Sequence, residues 1–170
     1  SPTLPLDMSR TPLSGLSSPV RVRIRRQDDD RVWALTPALQ DDLSLDGSAM
    51  PVHLYMRRNN QAQARTVRVT LSYQLGAATT FIGCEQLTLA TSGASGLVNS
   101  ATREFVFNVQ QTDASCNASG AGALTIPQGA QLLMQVDNDP SGGSGRAIYV
   151  YPVSDANGDA SRVELPATTV

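Results

Sequence analysis

The chain has 170 residues with one histidine, His53, and two cysteines, Cys84 and Cys116, and these three side chains bound the chemistry open to it. A Ser-His-acid relay needs an imidazole within reach of a nucleophile, and His53 alone can supply it. It alternates with Val52 and Leu54, which places it on the outward face of a strand with Tyr55 and Arg57. No G-x-S-x-G sequence accompanies it, so His53 reads as a surface residue. Paired-carboxylate hydrolysis needs two acids across a cleft. Most aspartates here stand in turn-like runs (Asp28 to Asp30, Asp41, Asp42, Asp46), where they cap backbone amides. Glu85, Glu104 and Glu164 are scattered over separate strands. These residues lead to the expectation that the protein is not an enzyme.

Oxygen-ligand chemistry has a better candidate. Asp155-Ala156-Asn157-Gly158-Asp159 sets ligands at alternate positions around a turn glycine, as the first half of a calcium loop does. It lacks the bidentate Glu of an EF-hand, and the same residues are ordinary turn formers. Asp137 and Asp139 form a second acidic stretch that could join Asp155, Asn157 and Asp159 around a calcium ion. No other cofactor is expected. Tyr149 and Tyr151 alternate with Ile148 and Val150; with Tyr55 they are candidates for an aromatic platform that binds carbohydrate. Trp33, between Val32 and Ala34, reads as core or sheet-edge packing. Two outward arginine rows, Arg21, Arg23 and Arg25, and Arg57 and Arg58, read as guards of strand edges. Cys84 and Cys116 lie in different segments of a turn-rich chain, which predicts one disulfide and an oxidising, extracellular compartment. A lone histidine and no CxxC spacing leave zinc without a ligand set.

Composition removes further classes. A net charge of −2 gives no footprint for nucleic acid or an anionic membrane. No run of eighteen apolar residues is present, so no membrane insertion is expected. All 13 basic residues are arginine, which excludes Schiff-base, lysine isopeptide and P-loop lysine chemistry. The first residues do not read as a signal peptide, so a secreted protein would stand here in its mature or trimmed form.

The elements that must carry these residues follow a period of two. Val20, Val22 and Ile24 alternate with arginines, and Val67, Val69, Leu71 and Tyr73 with Arg68, Thr70 and Ser72. Strands are predicted over 20–26, 32–35, 43–45, 52–57, 66–73, 81–89, 104–109, 124–126, 131–136, 147–153 and 162–165. So many short strands with turn signals between them predict an all-β fold, a two-sheet antiparallel β-sandwich of jelly-roll type. A single up-and-down barrel is the competing architecture. One short helix is expected over 36–42, with Thr36 as N-cap and Pro37 at N1. Residues 1–19 read as an extended, proline-punctuated arm and 20–170 as one domain. Loops 90–100, 113–123 and 137–145 are expected to be flexible and solvated.

The runs Trp33-Ala34-Leu35-Thr36-Pro37-Ala38-Leu39 and Asp42-Leu43-Ser44-Leu45-Asp46-Gly47 resemble the opening of jelly-roll domains in secreted bacterial surface proteins. Ile126-Pro127-Gln128-Gly129-Ala130-Gln131-Leu132 and the closing Ser161-Arg162-Val163-Glu164-Leu165-Pro166 fit the same pattern. The resemblance implies a non-catalytic structural or adhesive unit of a cell-surface or filamentous assembly, with no catalytic residue carried over. A carbohydrate-binding module is the alternative. The partners expected are other proteins, including copies of the same chain joined through the arm.

Overall fold

The computed structural model describes residues 6–8, 22–25, 31–116, 118–119, 124–138, 146–152 and 161–165. Within them the alternating runs form strands β1 (Leu6–Met8), β2 (Val22–Ile24), β3 (Arg31–Thr36), β4 (Leu43–Leu45), β5 (Met50–Arg58), β6 (Arg65–Leu75) and β7 (Ala78–Leu89). Then come β8 (Arg103–Val109), β9 (Thr112–Asp113), β10 (Ala118–Ser119), β11 (Leu124–Ile126), β12 (Gln131–Asn138), β13 (Ile148–Tyr151) and β14 (Arg162–Val163). Every predicted strand is present; β1, β9 and β10 are additional strands of two or three residues, in or beside stretches read as the arm and the 113–123 loop. The protein is an all-β sandwich, with antiparallel pairing throughout.

Register shows how the layers join. The main sheet links β2-β13-β5-β14-β1-β3-β12-β6-β7, with β8 also on β5. β13 pairs with Tyr55 to Arg58 and β14 with Val52 and His53, while β8 pairs along Met50 to Met56. β13 and β14 therefore share one edge of β5, as two halves of an interrupted strand, and β8 takes the other. β2 on β13 and β1 on β14 form a second interrupted strand in the next file. The β7 end of this path returns to β8. The Cys84 N–H donates to the Gln110 carbonyl at 3.1 Å, and the Gln110 N–H to the Cys84 carbonyl at 3.3 Å, so β7 closes onto the end of β8. Neighbours do not follow chain order, which rules out the up-and-down barrel.

The circuit encloses one core drawn from both layers. Trp33 is fully buried in it with Val52, Leu54, Val67, Val69, Phe107, Ile126, Met134, Val136, Ile148 and Val163. Aromatics are scarce, so Met50, Met56 and Met134 fill space beside the aliphatics.

Two expectations fail for tertiary reasons. Residues 37–42 form no helix. The Leu39 N–H donates to the Ala130 carbonyl at 3.1 Å, the Gly129 N–H to the Leu39 carbonyl at 2.8 Å, and the Gln128 N–H to Asp42 Oδ1 at 2.8 Å. The two Leu39 bonds, with Leu39 buried in the core, use backbone groups that a single helical turn would need, and the Asp42 bond fixes the segment to the facing turn. The loop 90–100 is anchored rather than solvated throughout. Leu97 is fully buried, its N–H donates to the Ala90 carbonyl at 2.7 Å, and Arg103 Nη1 donates to the carbonyls of Gly93 and Gly96 at 2.7 and 2.8 Å.

Candidate functional site

On β5 the period of two turns Val52, Leu54 and Met56 inward and leaves His53, Tyr55 and Arg57 on the outer face. Three elements converge there on the histidine. His53 Nδ1 bonds Glu104 of β8, and Nε2 lies 3.0 Å from Glu164 Oε1, just past β14, without the alignment of a hydrogen bond. Arg162 of β14 completes the group, 3.3 Å from Glu164 and 4.0 Å from Glu104. The His53 side chain is 14% exposed, against 39% for Glu104 and 46% for Glu164. With a carboxylate facing each ring nitrogen, neither nitrogen is presented to a hydroxyl nucleophile, so His53 does not assemble a Ser-His-acid relay. The group instead ties β8, β5 and β14 together, through the His53–Glu104 bond and the ion pairs of Arg162 with the two glutamates.

Beside it, Arg57 lies 5.7 Å from the Tyr149 ring centre and 5.9 Å from that of Tyr151, within cation–π range. The three candidate tyrosines are brought onto adjacent strands, with Tyr151 opposite Tyr55 in register. Tyr55 and Tyr151 are only 6% and 3% exposed, while Tyr149 is half-buried. A ligand reaching this face meets Tyr149 and Arg57 rather than a three-ring platform. Ser161 ties the two buried tyrosine positions together: its hydroxyl donates to the Tyr151 carbonyl at 2.7 Å and accepts the Tyr55 N–H at 3.1 Å.

Of the candidate calcium ligands, Asp139, Asp155, Asn157 and Asp159 lie outside the described residues. Asp137 belongs to β12 rather than to a loop, directly opposite Arg68. Arg68 holds its Oδ2 at 3.1 and 3.2 Å, and Gln135 donates to its Oδ1 at 3.1 Å, so both carboxylate oxygens are engaged within the sheet.

The cysteines do pair. The Cys84–Cys116 disulfide joins β7 to the 3-10 turn Ala114–Cys116, with Cα atoms 6.3 Å apart, and fastens the seam where the circuit closes. Glu85 accepts the Asn108 N–H across the same seam. Burial pushes the Glu85 carboxyl above its ordinary range; the Asn108 bond opposes the shift and Asp113 adds to it.

Of the expected outward arginines, Arg23 and Arg25 are exposed and Arg57 lies on the outer face of β5, Arg21 lies outside the described residues, and Arg58 departs. Arg58 falls in the inward set of β5, is buried, and donates to the Leu97 and Asn59 carbonyls at 3.1 and 2.9 Å. Arg65 is fully buried and holds the 59–64 loop through Asn59 Oδ1 at 2.7 Å, the Gln61 carbonyl at 2.9 Å and the Gln63 carbonyl. The signal for Arg65 was in the sequence, since it continues the inward alternation of Val67, Val69 and Leu71 by one step. The tie around His53 had no such signal, because its members come from three strands far apart in the chain.

No family model matches the sequence, and no curated protein matches it. Solved structures do. An α-amino acid ester hydrolase aligns with 98% of the chain at 13% identity and a TM-score of 0.59, over 36% of its own length. A CocE/NonD family hydrolase from Staphylococcus aureus aligns with 96% at 9% identity and 0.55, over 36% of its length. An aminopeptidase from a marine sediment Thaumarchaeota archaeon aligns with 84% at 14% identity and 0.52, over 26% of its length. The chain thus spans about a third of the hydrolases it resembles. These likenesses establish a shared fold. They also correct the expectation that the protein is not an enzyme, because these three structures, which share the fold along most of the chain, are hydrolases. The resemblance to surface-protein jelly rolls holds at the level of an all-β sandwich.

Proposed function

We propose that this chain is the β-sandwich unit of an extracellular hydrolase acting on ester or amide bonds. The observation that carries this reading is the alignment of nearly the whole chain with part of an amino acid ester hydrolase. The aminopeptidase and the CocE/NonD hydrolase support it independently. The disulfide is compatible with an extracellular setting, and among the described residues no helix is long and apolar enough to cross a membrane. In such a protein the sandwich is a rigid body, closed by backbone bonds at Cys84 and Gln110 and locked by a covalent bridge. The test is hydrolysis by the protein purified from its source, assayed on aminoacyl p-nitrophenyl esters and aminoacyl p-nitroanilides. Turnover of one of these classes is expected; a homogeneous preparation inactive on both overturns the reading.

A further inference from the structure

The interrupted strand formed by β1 and β2 has an unusual connection. Met8 pairs with Leu35, and Asp7 with both Arg162 and Thr36, so residues 6–8 fill a slot walled by β14 and β3. Through β14 and β13, Asp7 stands level with His53 and Val22 level with Met56 on β5. Met8 and Val22 are thus separated along the file by about 7 Å, two strand steps. Residues 9–21 join them, a connection able to reach about 45 Å when extended. The walls do not depend on β1, since β3 is paired to β12 and β14 to β5. Backbone pairing on both edges recognises an extended segment whichever copy supplies it.

We propose that the slot between β14 and β3 accepts residues 6–8 of a second copy of this chain, so that copies associate by exchanging arms. Reciprocal exchange gives a closed dimer, and open-ended exchange a string of subunits. The inference stands apart from the hydrolase reading. An arm tethered in its own chain competes at an effective concentration of about 1 mM, so exchange needs concentrated protein or refolding in its presence.

The full chain carrying Leu6→Cys and Val163→Cys, which face each other in register, tests this. Refolded well below about 1 mM it gives an internally bridged monomer, and well above it gives covalent dimers and larger species. An internal bridge alone at both concentrations, or no bridge between these positions at either, overturns the proposal. A second variant of the full chain, Asp7→Pro, removes the N–H of the central arm residue and empties the slot. This variant binds a synthetic peptide of residues 1–10 roughly 100-fold more tightly than the wild-type chain does, because its own arm no longer competes. A folded Asp7→Pro chain that does not bind the peptide, or binds it no better than wild type, overturns the proposal. If that variant does not fold, the crosslinking result decides.

Discussion

Replacing Gly83 by alanine strikes the fold where its circuit closes. A Cβ on Gly83 would stand 2.3 Å from the Gln110 carbonyl oxygen, 2.7 Å from its carbon and 3.1 Å from the Gln111 nitrogen. These are backbone atoms, held in place by the two Cys84–Gln110 hydrogen bonds at 3.1 and 3.3 Å, so no side chain can swing aside to relieve the overlap. The register shift between Leu71 and Ser72, opposite Gly83, leaves β7 already bent at this point. Relief requires moving β8 away from β7. That loses two backbone bonds of about 1 kcal/mol each and adds overpacking strain of about 1–3 kcal/mol. The reduced freedom of the unfolded chain returns about 1 kcal/mol. The net is a destabilisation of about 2–4 kcal/mol, or a fall in Tm of about 5–15 °C for a chain of this size. Urea unfolding followed by fluorescence of Trp33, the single and fully buried tryptophan, measures it. Gly76→Ala is the control. Its φ of +60° carries left-handed strain of about 1–2 kcal/mol, but nothing lies within 4 Å of the added atom. Gly83→Ala within about 0.5 kcal/mol of wild type would refute the closed seam, since surface substitutions far from any special feature fall in that range.

Replacing both cysteines, Cys84→Ala with Cys116→Ala, removes a bridge across a sequence separation of 32 and should cost about 3–4 kcal/mol by loop-closure entropy, read in the same urea titration. Glu85 has a folded-state pKa raised mainly by burial, so its ionised form destabilises the fold above that pKa and the cost is relieved as pH falls through it. Glu85→Gln should therefore be more stable than wild type at pH 7, with the advantage vanishing below about pH 4; a variant less stable at pH 7 contradicts the sign. Arg65→Met removes the charged donor to the Gln61 and Gln63 carbonyls, at about 1.5–3 kcal/mol per hydrogen bond to a charged group, and limited proteolysis should then cut within 59–64 where wild type resists.

The strands were legible because one face of each is buried: Val67, Val69 and Leu71 alternate so strictly that only a strand places them together. The disulfide was legible from two cysteines in separate turn-rich segments. What stayed hidden depends on contacts between distant parts of the chain. The 37–42 segment carries a proper helix start, yet the turn at Pro127 to Ala130 takes its backbone groups. Leu97 gave a glycine- and serine-rich loop its anchor, and the adjacent apolar pair Leu97-Val98 in such a loop has no period to reveal it. His53 was placed correctly on the outer face, but Glu104 and Glu164 reach it only because β8 and β14 flank β5. The hydrolase likeness was invisible for the same reason: at 9–14% identity the backbone path is shared and the residues are not.

The most direct measurement joins the seam to the activity. The source protein, wild type and Gly83→Ala, is assayed for aminoacyl-ester hydrolysis after brief heating across a temperature series. If the sandwich is a working unit of a hydrolase, the wild type turns over substrate, and the temperature at which activity disappears falls by about 5–15 °C in the variant, in step with its unfolding. No hydrolysis by the wild type, or inactivation at the same temperature in both, would contradict the account.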